Sequence, residues 1–409
     1  MQNTIKSDIK WVKNVFYDPV YNDQELHFFQ EKKIKGVYDF QKTHNDYSET
    51  PLSHLKNLAE YLDVADIRVK DESYRFGLNA FKVMGGIYAV GKYLADRLGK
   101  KIEELSFQEL QSPRVKEELG ELTFISATDG NHGRGVAWAA RELGHRSVIY
   151  MPKGSARVRL EAIRNEGAVA HITELNYDDA VRMCADVATE NGWIMVQDTA
   201  WKGYDHIPLW IMQGYASMGK EIVEQLLRDG GEQPTHIFLQ AGVGSFAAAI
   251  TAYMVQHYQG NPPIVVVVEP DQADCYYKSF ANKEGKRETV TGMMDTIMAG
   301  LACGEPNTRA FRILKQYAKA AFSCDDSIAA LGMRIYGSPM KDDPHVVSGE
   351  SGSAPLGLLY YLRKFKENQK VCVELSLDSE SRILLISTEG DTDPVHYRKV
   401  VWEGSCPLK

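Results

Sequence analysis

The chain has 409 residues, of which 44% are hydrophobic and 25% charged, with a net charge of −8. This is the composition of a globular protein of two to three domains or one large two-lobed unit. The acid excess argues against nucleic acid and anionic membranes as partners, and no stretch approaches the ~18–20 uninterrupted apolar residues of a bilayer helix. Met1–Tyr21 is mixed polar and charged, without the apolar core of a secretory signal, so the expected compartment is the cytoplasm. The cysteines at 184, 275, 303, 324, 372 and 406 form no C-x-x-C pair and no zinc spacing, so no metal site is expected. Reduced, buried thiols are the default, although a disulfide between Cys275 and Cys303 would clip the loop between them.

In chain order, Asp66–Lys70 reads as a strand. Asn79 then reads as an N-cap for an apolar helix over Ala80–Ala95. That places Lys82 in the first helical turn, among Phe81, Val83 and Met84. The positive end of the helix dipole and burial both disfavour the ammonium there, so the expected amine pKa is lowered. Such an amine can hold an aldehyde. A lysine snorkelling from a helix edge is the plainer alternative.

From residue 122 the pattern alternates between strand and helix. Strands read at Leu122–Ala127, Arg146–Met151, Val169–Glu174 and Trp193–Gln197. Helices read at His132–Leu143, Ala156–Glu166 and Asp178–Glu190, which makes a βαβ series with a parallel sheet. A long helix, Leu209–Leu227, follows. Then come strand Ile237–Gln240, helix Ser245–Tyr258, strand Ile264–Glu269, helices Thr308–Lys319 and Ser327–Gly337, and strand Arg382–Ser387. The expectation is α/β with two open parallel-sheet lobes. The large one comprises residues 1–89 and 211–409, with a small domain inserted over residues 90–210.

Two glycine-rich turns end strands. Thr128-Asp129-Gly130-Asn131-His132-Gly133 offers backbone N–H groups and the Asn131 and His132 side chains at a helix start; an ordinary Asx-capped turn is the plainer reading. Gly242-Val243-Gly244-Ser245 is the better phosphate cradle. With Ala247 and Glu269 it also satisfies a dinucleotide fingerprint, which leaves a NAD-dependent oxidoreductase open. Ligands in open α/β sheets bind at carboxyl ends of strands, where both turns and the final Thr388-Glu389-Gly390-Asp391 turn fall.

The lysine, the Gly-Asn-His turn and the Gly-x-Gly loop together resemble the fold-type II (tryptophan synthase β-like) enzymes that use pyridoxal 5'-phosphate. The resemblance spans about residues 40–400. The strings Tyr74–Lys82, Ala127–Gly135, Gln197–Trp201 and Ser387–Pro394 are similar to those of the branch that eliminates ammonia from 2,3-diaminopropionate, both D and L, to give pyruvate and a second ammonia.

This resemblance implies that Lys82 carries the cofactor aldehyde and that Gly242, Val243, Gly244 and Ser245 hold its phosphate. It further implies that Asn131 bonds the ring hydroxyl, that Thr388 stands beside the ring nitrogen, and that Phe81 belongs to the cofactor pocket. Thr128, Asp129, Gly130, His132 and Asp198 would meet the substrate. Lys82, Asp129 and Asp198 are the candidate bases, Asp129 for the D isomer and Lys82 or Asp198 for the L isomer. A carboxylate at 129 repels a substrate carboxylate, but suits a substrate with a second ammonium. The turn Ser348–Gly352 also resembles a cofactor-side loop, with Glu350 either functional or structural. The resemblance implies a homodimer, with Leu209–Leu227 as a candidate contact. A serine or threonine dehydratase of the same fold and a non-catalytic ligand-binding module also remain open here.

Overall fold

The computed structural model describes residues 9–408; the first eight residues of the stretch read for a secretory signal, and Lys409, lie outside it. In chain order come β1 (Lys10–Lys13), β2 (Leu52–His54), β3 (Asp66–Asp71), α1 (Val83–Arg97), β4 (Thr123–Ala127), α2 (Asn131–Glu142), β5 (Arg146–Met151), α3 (Arg157–Asn165), β6 (Val169–Ile172), α4 (Tyr177–Asn191) and β7 (Ile194–Met195). There follow α5 (His206–Arg228), β8 (His236–Gln240), α6 (Ser245–His257), β9 (Ile264–Pro270), α7 (Cys275–Ala281), α8 (Thr308–Tyr317), β10 (Ala318–Cys324), α9 (Asp326–Gly337), α10 (Glu350–Lys364), β11 (Arg382–Ser387) and α11 (Pro394–Val401).

The strands form two sheets, one of seven in the order β1-β10-β9-β8-β11-β3-β2 and one of four in the order β6-β5-β4-β7. The small sheet is parallel throughout. In the large one only the edge strands β1 and β2 pair antiparallel. Its central strands are apolar at nearly every position because helices cover both faces. Along β9, Val265 and Val267 enter one core while Val266 and Val268 enter the other; Ile237 and Leu239 oppose Phe238 in the same way. The period of two sends successive side chains to opposite faces.

Three sequence expectations need correction. The helix read to Lys319 ends at Tyr317, and the chain passes directly into β10. The Ala-rich run Ala318–Ala321 carries helical propensity, but pairing beside β9 overrides it. The run Ser348–Gly352 is not a free turn, because Gly349 caps α10 and Glu350 opens it. The helix Leu209–Leu227 is buried within the protomer along most of its length as part of α5, which leaves its last turn, with Leu227 exposed, as its open end.

Asn79 is not the cap of α1, which starts at Val83 with Lys82 in the capping position. Asn79 adopts φ 58°. Its backbone oxygen accepts from Gly390 N at 3.1 Å, while Phe81 N donates to Thr388 O at 3.0 Å. Residues 79–81 are thus stitched to the turn after β11, and the helix begins only when that pairing ends.

Candidate active site

Five carboxyl-end segments converge. They follow β3 (to Lys82), β4 (128–131), β7 (197–200), β8 (241–245) and β11 (388–391). Phe81, Lys82, Asn131, Asp198, Gly242, Val243, Gly244, Ser245 and Thr388 line one narrow pocket. Asp129 lines an adjoining cavity of about 460 Å³, and Tyr177 faces both. Thr128, Gly130 and His132 line neither space. Thr128 Oγ1 accepts from Gly130 N and Gly133 N at 2.9 and 3.0 Å, so it shapes the turn. His132 donates from Nε2 to Val196 O at 2.8 Å, and its Nδ1 points toward Asp198 at 3.9 Å. Burial pulls this imidazole below its ordinary range, despite Asp198.

Lys82 Nζ donates to Asp198 Oδ2 at 3.0 Å, and Tyr177 OH donates to Asp198 Oδ1 at 3.2 Å. Burial pulls the Lys82 amine down, but the Asp198 and Asp129 carboxylates outweigh it and hold the ammonium well above the ordinary lysine range. The lowered amine expected from the sequence is therefore wrong for the free side chain. Helix position and apolar neighbours were visible, but the carboxylate 116 residues away was not. In turn, burial pushes the Asp198 carboxyl up, but Lys82, then His132, override it and bring it down to about 2.

The Gly242–Ser245 loop is built at the start of α6. Gly244 has φ +87°, and a Cβ there would overlap the Tyr276 hydroxyl, which donates to Val243 O at 3.0 Å. Only glycine fits both demands. Ser245 Oγ donates to Asp198 O at 2.5 Å and accepts from Asn307 Nδ2 at 2.9 Å. This loop and the Asp198 loop are thereby fastened together. Phe81 packs between Tyr215 and Phe246, with ring centroids 4.8 and 4.7 Å away. Thr388 Oγ1 accepts from Gln240 Nε2 at 2.8 Å, and Asn131 Nδ2 donates to Glu389 Oε2 at 2.5 Å.

These groups fit pyridoxal 5'-phosphate. The pocket offers backbone N–H groups at a helix start, a neutral hydroxyl at Thr388, and a lysine within one cleft. Gln240 Oε1, Tyr215 OH, Glu389 Oε1 and Ser351 Oγ are buried there without a partner among the described residues. Such groups normally have partners, and a polar ring with a phosphate supplies them.

The dinucleotide alternative fails on Glu269. It is fully buried and accepts from Tyr276 N at 2.8 Å and Tyr277 N at 2.7 Å, so it caps α7. No ribose reaches it. Cys275 and Cys303 are free thiols, both buried, and Cys303 lines the narrow pocket. Tyr177, Tyr215 and Gln240 were not singled out from the sequence, and Cys303, Ser351 and Glu389 were noted there only for a disulfide or as members of a turn, not as site residues. Gln240 and Glu389 immediately flank motif residues, which is a usable signal. The two tyrosines lie on helices with no local mark.

The fold and the lysine-centred pocket define a pyridoxal-phosphate enzyme, and the family model for pyridoxal-phosphate dependent enzymes matches residues 44–376. The diaminopropionate ammonia-lyase of Salmonella typhimurium (strain LT2) is 51% identical over 369 residues, covering 90% of this chain and 91% of that protein. That of Escherichia coli (strain K12) is 49% identical over 385 residues, covering 94% and 95%. The crystal structure of the Escherichia coli enzyme in complex with D-serine superposes with a TM-score of 0.92 at 44% identity, covering 99% of this chain and 100% of that one. The chain belongs to the pyridoxal-phosphate dependent enzyme family and, within it, to the diaminopropionate ammonia-lyases.

Proposed function

We propose that the chain converts D- and L-2,3-diaminopropionate, with one water, to pyruvate and two ammonia. The reaction is a carbon–nitrogen lyase elimination that uses pyridoxal 5'-phosphate. When bound, the cofactor supplies an electron sink that makes the α-proton acidic. Lys82 holds the aldehyde, residues Gly242–Ser245 receive the phosphate, Asn131 meets the ring hydroxyl, and Thr388 gives the ring nitrogen a neutral partner. Phe81, wedged between Tyr215 and Phe246, fixes the position of the neighbouring lysine.

Asp129 serves as base for the D isomer, and Lys82 or Asp198 for the L isomer. Asp198 is anionic across the neutral range and stands 3.0 Å from the Lys82 amine, and the β-ammonium of the substrate leaves as ammonia without needing a further proton. Thr128, Gly130 and His132 act by shaping the turn and orienting Asp198. The observation that carries this reading is the pair of acids flanking one lysine. A diamino acid brings a second ammonium to meet them, whereas serine brings none.

The proposed working unit is two lobes, residues 1–89 with 211–409 and residues 90–210, acting as a cytoplasmic homodimer. Among the described residues no helix is long and apolar enough to cross a membrane; cell fractionation tests the location and sedimentation the dimer. The deciding experiment follows the visible spectrum and pyruvate release of purified holoenzyme with each diaminopropionate isomer and with serine. Diaminopropionate should perturb the violet-edge band and turn over faster than serine. A preference for serine would return the reading to a dehydratase.

A further inference from the structure

We infer that Arg159 is the positioning residue that holds the Asp129 carboxylate in place for the D isomer. The inference rests on the reading of Asp129 as that isomer's base. Arg159 lies on α3, is 7% exposed, and lines the 460 Å³ cavity together with Asp129, Glu350, Asp393 and His396.

Three contacts define its role. Arg159 Nη1 lies 3.8 Å from Asp129 Oδ2 and Nη2 lies 3.9 Å from Glu350 Oε2, while Nη2 donates to Thr392 Oγ1 at 3.4 Å. The first two distances are too long for hydrogen bonds but short for a Coulombic hold in a buried site. Asp129 Oδ2 has no hydrogen-bond partner among the described residues, and neither has Arg159 Nε. The guanidinium therefore holds the carboxylate by charge while leaving that oxygen's lone pairs free to take a proton.

The stem of the same side chain supports the turn. Gly130 has φ +154°, and a Cβ there would stand 3.0 Å from Arg159 Cδ. Glycine lets the arginine methylenes lie against the peptide that joins Asp129 to Asn131. Charge and stem thus fix one turn from two directions.

The surroundings make the cation necessary. Glu389, Asp129, Glu350 and Asp393 all act on this guanidinium and, against burial, hold its pKa above the ordinary value. His396 Nδ1 contacts Glu350 Oε1 at 2.5 Å and so occupies the far side of Glu350. Without Arg159, Asp129 would face Glu350 and Glu389 with only the more distant Lys82 ammonium to offset them, and like charges there disfavour a carboxylate in position.

The test compares kcat and KM on each isomer for holoenzyme carrying Arg159→Gln, Arg159→Lys or Asp129→Asn. Arg159→Gln should lower kcat on the D isomer by at least about tenfold and change the L isomer by less than about threefold, with the visible cofactor band retained. Arg159→Lys should recover part of the D-isomer kcat, because it restores charge without the fork. If Arg159→Gln does not fold, the D/L ratio of Arg159→Lys decides alone. Equal losses on both isomers, or no loss, overturn the role of Arg159. If Asp129→Asn itself fails to separate the isomers, the base assignment is what has failed.

Discussion

The Lys82 ammonium donates to Asp198 Oδ2 across 3.0 Å, and joins the residue before α1 to the loop that follows the edge strand of the small sheet. The two side chains are almost fully removed from water, at 15% and 3% exposure. An ion pair so placed is worth most when both members are present, because either alone is an uncompensated buried charge.

The first prediction concerns acid stability. Asp198 is held at about 2 against 3.8 in an unfolded chain. Its stabilisation is full above 3.8 and drains away as pH falls toward 2, a contribution of about 2 kcal/mol. Lys82 is raised above 10.5, so its share is full below that value and disappears only as pH climbs through the folded pKa. These are two views of one pair and do not add. Urea unfolding at pH 7 and pH 3 should show wild type losing its advantage over Asp198→Asn at the lower pH. A gap unchanged between the two pH values would refute the coupling.

Replacing Lys82 by alanine should remove the violet absorption of the holoenzyme. Borohydride treatment of the wild type should leave the cofactor on the peptide that contains Lys82. Cofactor recovered on any other lysine would dismiss the central assignment.

Gly244→Ala should weaken cofactor retention and cost about 1–3 kcal/mol in stability, since it combines a disfavoured backbone conformation with an overlap at Tyr276. Adding Tyr276→Phe removes the overlapping oxygen but not the backbone strain, so the double variant should recover part of the loss. Calorimetry and cofactor titration read both. A double variant no better than the single would show that crowding at Tyr276 plays no part.

Asp198→Asn should also reduce kcat by about 10²-fold on the L isomer if Asp198 is that isomer's base, a typical value for loss of acid–base chemistry. Steady-state pyruvate release measures this directly, and undiminished turnover would assign the L isomer to Lys82 unaided.

Much of this was legible where physics is local. The bounds of β5 and β11 follow from apolar runs between polar ends, and the cradle follows from Gly242 and Gly244 between a strand and a helix. What escaped was set by distant neighbours. β10 is strand because β9 lies beside it, not because Ala318–Ala321 prefer extension. Lys82 is charged because Asp198 arrives from another sheet. Tyr177 and Tyr215 sit at core-like positions on helices, and nothing in their spacing separates a pocket wall from a packed interior.

The pairing of β11 has a consequence for how the protein is made. This strand comes after the other ten among the described residues, yet it lies between β8 and β3, and the turn beyond it receives Phe81 N and supports Asn79. A nascent chain still on the ribosome lacks that central strand and has no anchor for the segment that carries Lys82. A chain ended before Arg382 lacks both that strand and that turn, and should acquire no violet band.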